Sequence, residues 1–230
     1  MSSNEVEVAE EAPPTDELRE SLVSRLTELV GDAVLEHHIV VGKDVWIRVK
    51  NEAWVEVGNA VRVPMGARFF GFVSAIDWMP SPYGRSMDSA VDTIVKGATD
   101  KPVPEMVTGY AGGESRFQVI ARVTNLKAGW SLNLKTDVGD AEPAVASWTQ
   151  VYAGADWHER EVFEMFGINF VGHPGLRKIY LPGDFEGNPM RKDFPLLARM
   201  VKPWPGIVDT EPMPGANEPA DAASSEEAVS

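Results

Sequence analysis

The sequence predicts an α+β fold, with a small mixed β-sheet flanked by helices, then a helix ending before Gly167, and then an extended, irregular C-terminal strap. Three observations support this prediction. Leucines recur at helical spacing near the N-terminus, apolar residues alternate between residues 117 and 135, and residues 168–208 show no sustained period. The chain has 230 residues, of which 43% are hydrophobic, and this suffices for one sizeable core with tails.

The first predicted helix covers residues 15–30. Thr15 is the expected N-cap, and Gly31 is expected to end the helix because glycine readily adopts the left-handed conformation found there. Its apolar positions recur every three or four residues, at Leu18, Leu22, Leu26 and Leu29.

Three segments follow with different patterns. Residues 45–49 are rich in β-branched side chains and predict a strand. Residues 52–70 fit both a strand and a helix, because their valines alternate while Trp54, Val57, Val61 and Met65 also lie on one helical face. Residues 80–115 are rich in Gly, Pro, Ser and Asp and predict a long surface excursion.

A β-hairpin is the clearest local signal in the sequence. Apolar and polar residues alternate over 117–124 and again over 130–135, and the turn Lys127-Ala128-Gly129 separates the two runs. Pro143 then predicts a short helix over residues 143–153, since proline is favoured at the first helical position.

The charge distribution indicates tails around a nearly neutral body. Residues 1–20 carry seven acidic side chains and one basic, and residues 209–230 carry six acidic and none basic, so residues 21–208 account for only −2 of the formal charge of −14. A body without a basic patch argues against nucleic-acid binding. We divide the chain into an acidic tail expected to be disordered (1–14), an α+β domain (15–167), the strap (168–208) and a second acidic tail expected to be disordered (209–230).

The residue types exclude several kinds of chemistry. The chain contains no cysteine, which excludes disulfides, zinc–thiolate sites, iron–sulfur ligation and a thiol nucleophile. The most apolar stretch, residues 63–80, contains Arg68 and Asp77 and is too short to span a bilayer. The acidic N-terminus lacks the apolar segment of a secretion signal. We therefore expect a protein without direct membrane insertion.

The most informative stretch runs from residue 156 to residue 195. On a helical wheel, Glu159 falls within an apolar arc formed by Val162, Phe163, Met165 and Phe166. A carboxylate in that position requires a cation or several donors, and we expect a buried ion pair. The candidate cations are Arg177, Lys178, Arg191 and Lys192. The remaining charged residues, Arg160, Glu161 and Glu164, are expected on the opposite, polar face around Trp157.

This stretch contains a long spaced signature, formed by Glu159-Arg160-Glu161, Phe163, Phe166-Gly167-Ile168, Phe170, Gly172-His173-Pro174, Leu176-Arg177, Ile179, Gly187, Pro189 and Arg191-Lys192-Asp193-Phe194-Pro195. The signature resembles that of the C-type subunit of bacterial NADH–quinone oxidoreductase, the 30 kDa-type subunit family of respiratory complex I. Glu164, Lys178 and Asn188 depart from the usual Asp, Arg and His of the family.

The resemblance implies a cofactor-free subunit of the peripheral arm of a proton-translocating NADH–quinone oxidoreductase. FMN and iron–sulfur clusters are then expected in partner subunits. The implied partners are the D-type quinone-site protein, the B-type cluster protein and other peripheral-arm subunits, in a hetero-oligomer at the cytoplasmic face of the cell membrane. The resemblance also favours a helix over residues 52–70.

The individual motif residues predict interfaces rather than chemistry. Glu159, Glu161 and Glu164 could form an acid–base set, but a charged helix face with one buried ion pair is favoured because no nucleophile or metal set accompanies them. His158 and His173 lack the spacing of a metal site. We therefore predict no catalytic, cofactor-binding or metal-binding residue in this chain.

The residues outside the predicted helix are also interpreted as contacts. His173 lies between Gly172 and Pro174, where a turn that hydrogen-bonds the ring is expected. Proline and phenylalanine flank Arg191-Lys192-Asp193, which favours contact with a partner, and Trp204 between two prolines favours an interface anchor.

Two other functions stay open at this point. The chain could be the equivalent subunit of a membrane-bound hydrogenase related to complex I. It could also be a free-standing hydrolase that uses Glu159 and Glu161.

Overall fold

A five-stranded mixed sheet forms the centre of the structure. The structure is a computed structural model and describes residues 16–80 and 105–194. Its strands, in chain order, are β1 (Val34–His38), β2 (Val45–Val49), β3 (Phe69–Asp77), β4 (Phe117–Asn125) and β5 (Trp130–Asp137). The order across the sheet is β1-β2-β5-β4-β3, and only the β2–β5 pair is parallel. The predicted small mixed sheet is therefore confirmed.

Three helices and a second small sheet complete the described part of the chain. The helices are α1 (Glu17–Val30), α2 (Trp54–Arg62) and α3 (Ala155–Phe166), with single 3-10 turns at Gly31–Ala33 and Asn51–Ala53. Two short strands, β6 (Ala144–Ala146) and β7 (Asn169–Val171), pair in parallel. No helix within residues 16–80 and 105–194 is long and apolar enough to cross a membrane.

The core lies on one face of the large sheet. Side chains from four neighbouring strands line up across it in register, because successive side chains of a strand point to opposite faces. The helices cover these rows with further buried apolar side chains, including Leu26, Trp54, Val61, Val162 and Phe166. The aligned strand residues are Val45, Ile47 and Val49 of β2, Leu132 and Leu134 of β5, Val119, Ala121 and Val123 of β4, and Val73 and Ala75 of β3.

The predicted hairpin is confirmed, with β4 and β5 as its strands. The side-chain oxygen of Asn125 accepts hydrogen bonds from the backbone N–H groups of Lys127 and Ala128, which fixes the turn. Gly129 closes it at a φ of 69°, a left-handed conformation that glycine adopts without a steric cost. Thus local turn chemistry and strand alternation agree here.

The first helix begins at Glu17, one residue later than it would if Thr15 were the N-cap. Asp16 accepts a hydrogen bond from Arg19 N and acts as the N-cap. Thr15 itself lies outside the described residues. Leu22 and Leu26 are buried as the helical period predicted, whereas Leu18 is exposed.

Residues 52–70 contain a helix that is shorter than expected. Helix α2 ends at Arg62, and strand β3 has already begun at Phe69. Trp54, Val57 and Val61 are fully buried on the core side, so the helical interpretation of these positions is right. Both patterns are therefore present, one after the other.

The predicted helix over residues 143–153 is wrong. Residues 144–146 form β6, which pairs with β7, and the N–H of Ser147 extends this pairing by donating to Val171 O. Pro143 is compatible with both structures, because its carbonyl accepts a hydrogen bond from Asn169 N. A partner strand more than twenty positions away in the sequence decides the outcome.

Trp148 follows β6 and fixes the position of α2. Its ring is fully buried and stacks on Trp54, with 4.4 Å between the ring centroids. Its indole N–H donates to Trp54 O at 2.9 Å. A Cβ atom at Gly58 would lie 2.8 Å from the Trp148 ring, so the helix can approach the ring only where it has glycine.

We expect Gly58→Ala to lower the free energy of unfolding by about 1–3 kcal/mol, because the added methyl group overpacks the ring and outweighs the gain in helix propensity. Urea unfolding of the purified chain measures this change. Gly175→Ala is the matched control, since a Cβ there meets no atom within 4 Å. Equal stabilities of the two variants would contradict the proposed contact.

Candidate functional site: helix α3 and the strap

Helix α3 lies between the sheet and the strap. It ends as predicted at Gly167, which has a φ of 71° and donates its N–H to Phe163 O. Ile168 and Phe170 beyond it are buried members of the core. The packing of the domain therefore continues past Gly167, where we expected the strap to begin, and the irregular part follows β7.

Glu164 joins the strap to α3. Although the helical wheel placed it on the exposed polar face, its exposed fraction is 1%. Its carboxylate accepts hydrogen bonds from three successive backbone N–H groups, those of Ile179, Tyr180 and Leu181, at 2.7–2.9 Å. The expected exposure is thus wrong, because the strap covers the face of the helix opposite the sheet.

These contacts lower the pKa of Glu164. Burial alone would raise the pKa, but the three N–H donors stabilise the carboxylate and outweigh it, and Lys178 adds a smaller attraction. The ionised carboxylate of Glu164 therefore holds the strap more strongly than the protonated carboxyl group does.

Glu159 is buried as predicted but makes a different contact from the expected ion pair. Its side chain has no exposed surface, and its oxygens accept hydrogen bonds from Ser147 Oγ and Trp148 N, each at 2.6 Å. Burial raises its pKa, and these two donors only partly oppose the rise. The expected partner cation is therefore wrong, since neutral donors meet the carboxylate.

The four candidate cations make other contacts. Lys178 Nζ donates to Phe185 O, and Arg191 Nε donates to Phe166 O. Arg177 accepts a hydrogen bond at its backbone oxygen from Arg160 Nε and is exposed. The backbone N–H of Lys192 donates to Asp77. Within the described ranges, no salt bridge joins any of them to Glu159.

Arg191 and Met190 cap the C-terminal end of α3. Met190 N donates to Met165 O, and Arg191 Nε donates to Phe166 O, so the strap satisfies two carbonyls that a helix end leaves without partners. The Arg191 guanidinium also lies 4.9 Å from the centroid of the Phe117 ring. A cation at a helix C-terminus is favoured by the helix dipole.

A buried ion pair holds the end of the described strap. Arg116 makes two hydrogen bonds to Asp77, at 2.7 and 2.8 Å, and also contacts Asp193 at 2.9 Å. Lys192 N donates to the same Asp77 carboxylate at 2.7 Å. Burial opposes ionisation of Asp77, but Arg116 and the backbone donors of Lys192 and Met79 lower its pKa. Residues 191–193 are thus held by groups of the same chain, and their predicted contact with a partner stays a prediction.

The ring of His173 is hydrogen-bonded by a turn, as predicted. Its Nδ1 accepts from Gly175 N at 3.0 Å, so that Nε2 carries the proton and lies 3.0 Å from the Asp156 carboxylate. Gly172, at a φ of 86°, supplies the left-handed residue before it, and Pro174 is exposed. His158 instead contacts Phe70 edge-on.

Glu159 does not offer an accessible carboxylate in this structure. Glu159 is fully buried and both of its oxygens are occupied, so it cannot act with the half-buried Glu161 as a hydrolytic pair. No group of three or more His, Asp or Glu residues suited to a metal occurs in the part of the chain that the structure describes.

Large apolar side chains point outward from the same region. Trp157 is 69% exposed, Tyr180 61% and Met190 54%. Trp204, which we also predict to be an anchor, lies outside the described residues, as do residues 195–208 of the strap and 81–104 of the predicted excursion.

Sequence reasoning did not identify Ser147, Asp77, Arg116 or Asp156 as residues of this site. Of these four, only Asp77 gave a signal in the sequence, as a charged residue within an apolar stretch.

The two buried glutamates of α3 should affect stability with opposite pH dependence. The Glu164 contribution is complete above the ordinary pKa of 4.5 and is lost as the pH falls through its lowered pKa. The pKa of Glu159 is raised, so its contribution is complete below 4.5 and is lost as the pH rises through that raised value.

We therefore expect Glu164→Gln to cost about 1–3 kcal/mol at pH 7, because its amide group cannot accept from all three N–H donors. Glu159→Gln is the matched control, since glutamine can accept from Trp148 and donate to Ser147, and it should equal or exceed the wild type at pH 7. Urea unfolding between pH 4 and pH 7.5 measures both. Equal losses with the same pH dependence would contradict the assigned contacts.

Comparisons with known proteins agree with the fold and the motif. The chain is 34% identical to the C-type subunit of the NADH-quinone oxidoreductase of Bordetella avium over 172 residues, which cover 74% of this chain and 70% of that relative. It is 46% identical to the C-type subunit of the same enzyme from Roseiflexus castenholzii over 92 residues, or 40% of this chain. The chain spans about half the length of the latter relative, 53%.

A solved structure and a family profile complete the comparison. The fold is shared with a chain of the membrane-bound sulfane sulfur reductase, an archaeal respiratory membrane complex, at a TM-score of 0.54 and 19% identity, covering 78% of this chain and 86% of that one. The profile described as respiratory-chain NADH dehydrogenase, 30 Kd subunit, matches residues 47–200. The chain therefore belongs to the family of the 30 Kd subunit of the respiratory-chain NADH dehydrogenase.

Proposed function

We propose that this chain is a cofactor-free subunit of the peripheral arm of a proton-translocating NADH–quinone oxidoreductase, and that it supports the quinone-site subunit mechanically. It contributes no reacting group. Its partners are the D-type quinone-site protein, the B-type cluster protein and other peripheral-arm subunits, which hold the FMN and iron–sulfur clusters. The complex places it at the cytoplasmic face of the cell membrane.

One observation carries this proposal: the described strap is fastened to its own domain on one side and exposes large apolar groups on the other. Backbone N–H groups of the strap donate to Glu164, to Asp77 and to the carbonyl of Met165, at three separate points. Tyr180 and Met190 are each more than half exposed between or beside those points. A surface that is ordered before binding loses less conformational entropy when a partner covers it.

The contacts of the charged motif residues support the same proposal. Four charged side chains of this region are bonded to other groups of the same chain, namely those of Glu159, Arg160, Glu164 and Asp193. Supporting a neighbour requires stable geometry and apolar contact area, and the site supplies both. By holding the quinone-site subunit, the chain keeps the quinone headgroup within electron-transfer distance of the terminal cluster.

We expect the double variant Trp157→Ala, Tyr180→Ala to bind its partners roughly tenfold more weakly or worse, since exposed aromatic residues commonly dominate interfaces. The tagged full-length chain is expressed in its host, and the complex is recovered from detergent-solubilised membranes and analysed by mass spectrometry. Recovery of partner subunits relative to the tagged chain is the measured quantity.

Leu126→Ala is the matched control, because Leu126 is 69% exposed but lies in the hairpin turn. The isolated double variant should keep the melting temperature of the wild type. If it assembles normally and the complex turns over slowly, the supporting role is wrong. Recovery of a nickel-bearing large subunit in place of a flavin-bearing NADH module would instead identify the equivalent subunit of a related membrane-bound hydrogenase.

A further inference from the structure

A cleft of about 660 Å³ lies on the face of the large sheet opposite the helices. Trp46 and Lys135 occupy strand positions that alternate with core residues, so their side chains emerge on this second face. The segment around Tyr110 forms the other wall. The side chains that line the cleft include Glu36, His38, Trp46, Trp78, Tyr110 and Lys135.

Aromatic rings form one end of this cleft. Tyr110 stacks on His38 with 4.5 Å between ring centroids and 10° between ring planes, and Trp46 lies 6.0 Å from Tyr110. Tyr110 is nevertheless 51% exposed. Flat aromatic faces that remain open to solvent are suited to stacking with a planar group.

The loop beside the cleft is built into position. A Cβ atom at Gly109 would lie 2.9 Å from the Trp78 ring, and one at Gly112 would collide with the Glu36 carboxylate. Ala111 between them has a φ of 61°, which is uncommon for a residue with a side chain. This strained, closely fitted backbone holds Tyr110 and Glu36 beside each other before any ligand arrives.

The cations of the cleft use their donors within the chain. Lys135 is 1% exposed, and its Nζ donates to Gly112 O and Gln118 Oε1. Burial lowers the pKa of Lys135 to about 8, with Asp137 partly opposing this effect. Arg48, which is buried, donates to Ala111 O and to three carboxylates. Neither cation is therefore available to recognise an anionic ligand.

The accessible charges at the cleft are negative. The side chain of Glu36, which lines the cleft, is 50% exposed, whereas that of Arg48, to which it binds, is 10% exposed. Glu114 does not line the cleft but binds the same Arg48 and is 82% exposed. The rim thus presents carboxylate oxygens beside open aromatic faces. This combination attracts a cation that can stack, and a guanidinium group does both.

We propose that the cleft receives the guanidinium group of an arginine side chain presented by a partner protein. The group stacks on the face of Tyr110 opposite His38, beside Trp46, and directs its N–H donors to the free lone pairs of Glu36. Lysine fits less well, because its compact ammonium group cannot stack on the rings. This site is separate from the strap and does not rest on the proposed function.

The test uses the isolated full-length chain and N-acetyl-arginine methylamide as the probe. Titration is followed by the ¹⁵N–¹H resonances of the Trp46 and Trp78 indole groups. N-acetyl-citrulline methylamide, which has the same shape without the charge, is the control ligand. We expect saturable shifts of the Trp46 resonance with the arginine compound and at least fivefold weaker binding of the citrulline compound.

Variants of the cleft locate the binding site. Tyr110→Ala and Glu36→Gln should each weaken binding of the arginine probe about three- to fivefold, the loss expected for one cation–π or exposed charge contact. Phe69→Ala and Glu28→Gln change an exposed aromatic residue and an exposed acidic residue elsewhere and should leave binding unchanged. All four spectra must retain the dispersion of the folded chain.

Two results would overturn the inference. Equal binding of arginine and citrulline probes would show that the cleft does not recognise charge. Unchanged binding in a folded Tyr110→Ala variant would show that the probe binds elsewhere. Either result leaves the assembly experiment unaffected, because that experiment depends on Trp157 and Tyr180 in the whole complex.

Discussion

The carboxylate of Glu164 is the contact on which the rest of the site depends. Three consecutive backbone N–H groups converge on one side chain of α3, and no regular strand or helix holds this stretch of the strap. The backbone N–H and C=O groups of an irregular segment need hydrogen-bond partners, but the segment has no regular helix or strand pairing to supply them. By accepting three of them at once, Glu164 allows residues 179–181 to lie along the helix and exposes Tyr180 to solvent.

The contrast between Glu159 and Glu164 shows where sequence reasoning succeeds and where it ends. The helical period correctly placed Glu159 in the apolar arc. That face of the helix packs against the sheet, and a helix face that packs against a sheet is recognised by apolar residues at helical spacing. The same period wrongly placed Glu164 in solvent, because a helical wheel shows only the residues of the helix and not the segments that pack against it. The strap that covers Glu164 comes from residues fifteen to seventeen positions later, and no local period records its path.

The same limit explains the errors in the fold. The hairpin of β4 and β5 was predictable because its strands are adjacent and its turn carries Asn125 and Gly129. Residues 144–146 were predicted to be helical because Pro143 suits the start of a helix. Their strand partner β7 lies beyond an intervening helix, so the local sequence does not show the pairing. The Asp77–Arg116 pair spans 39 positions and was likewise hidden. Elements defined by neighbours in the chain were found, and those defined by neighbours in space were missed.

The fate of the buried charges connects the fold to the proposed roles. Asp77, Arg116, Glu164 and Arg48 have their hydrogen bonds with other groups of the same chain, so breaking these contacts to bind a partner would leave a buried charge without compensation. Recognition is therefore left to groups whose surfaces are open, which are mainly aromatic and apolar. In our two proposals, the strap and the cleft therefore bind partners through open side chains, and the buried charges keep their contacts within the domain.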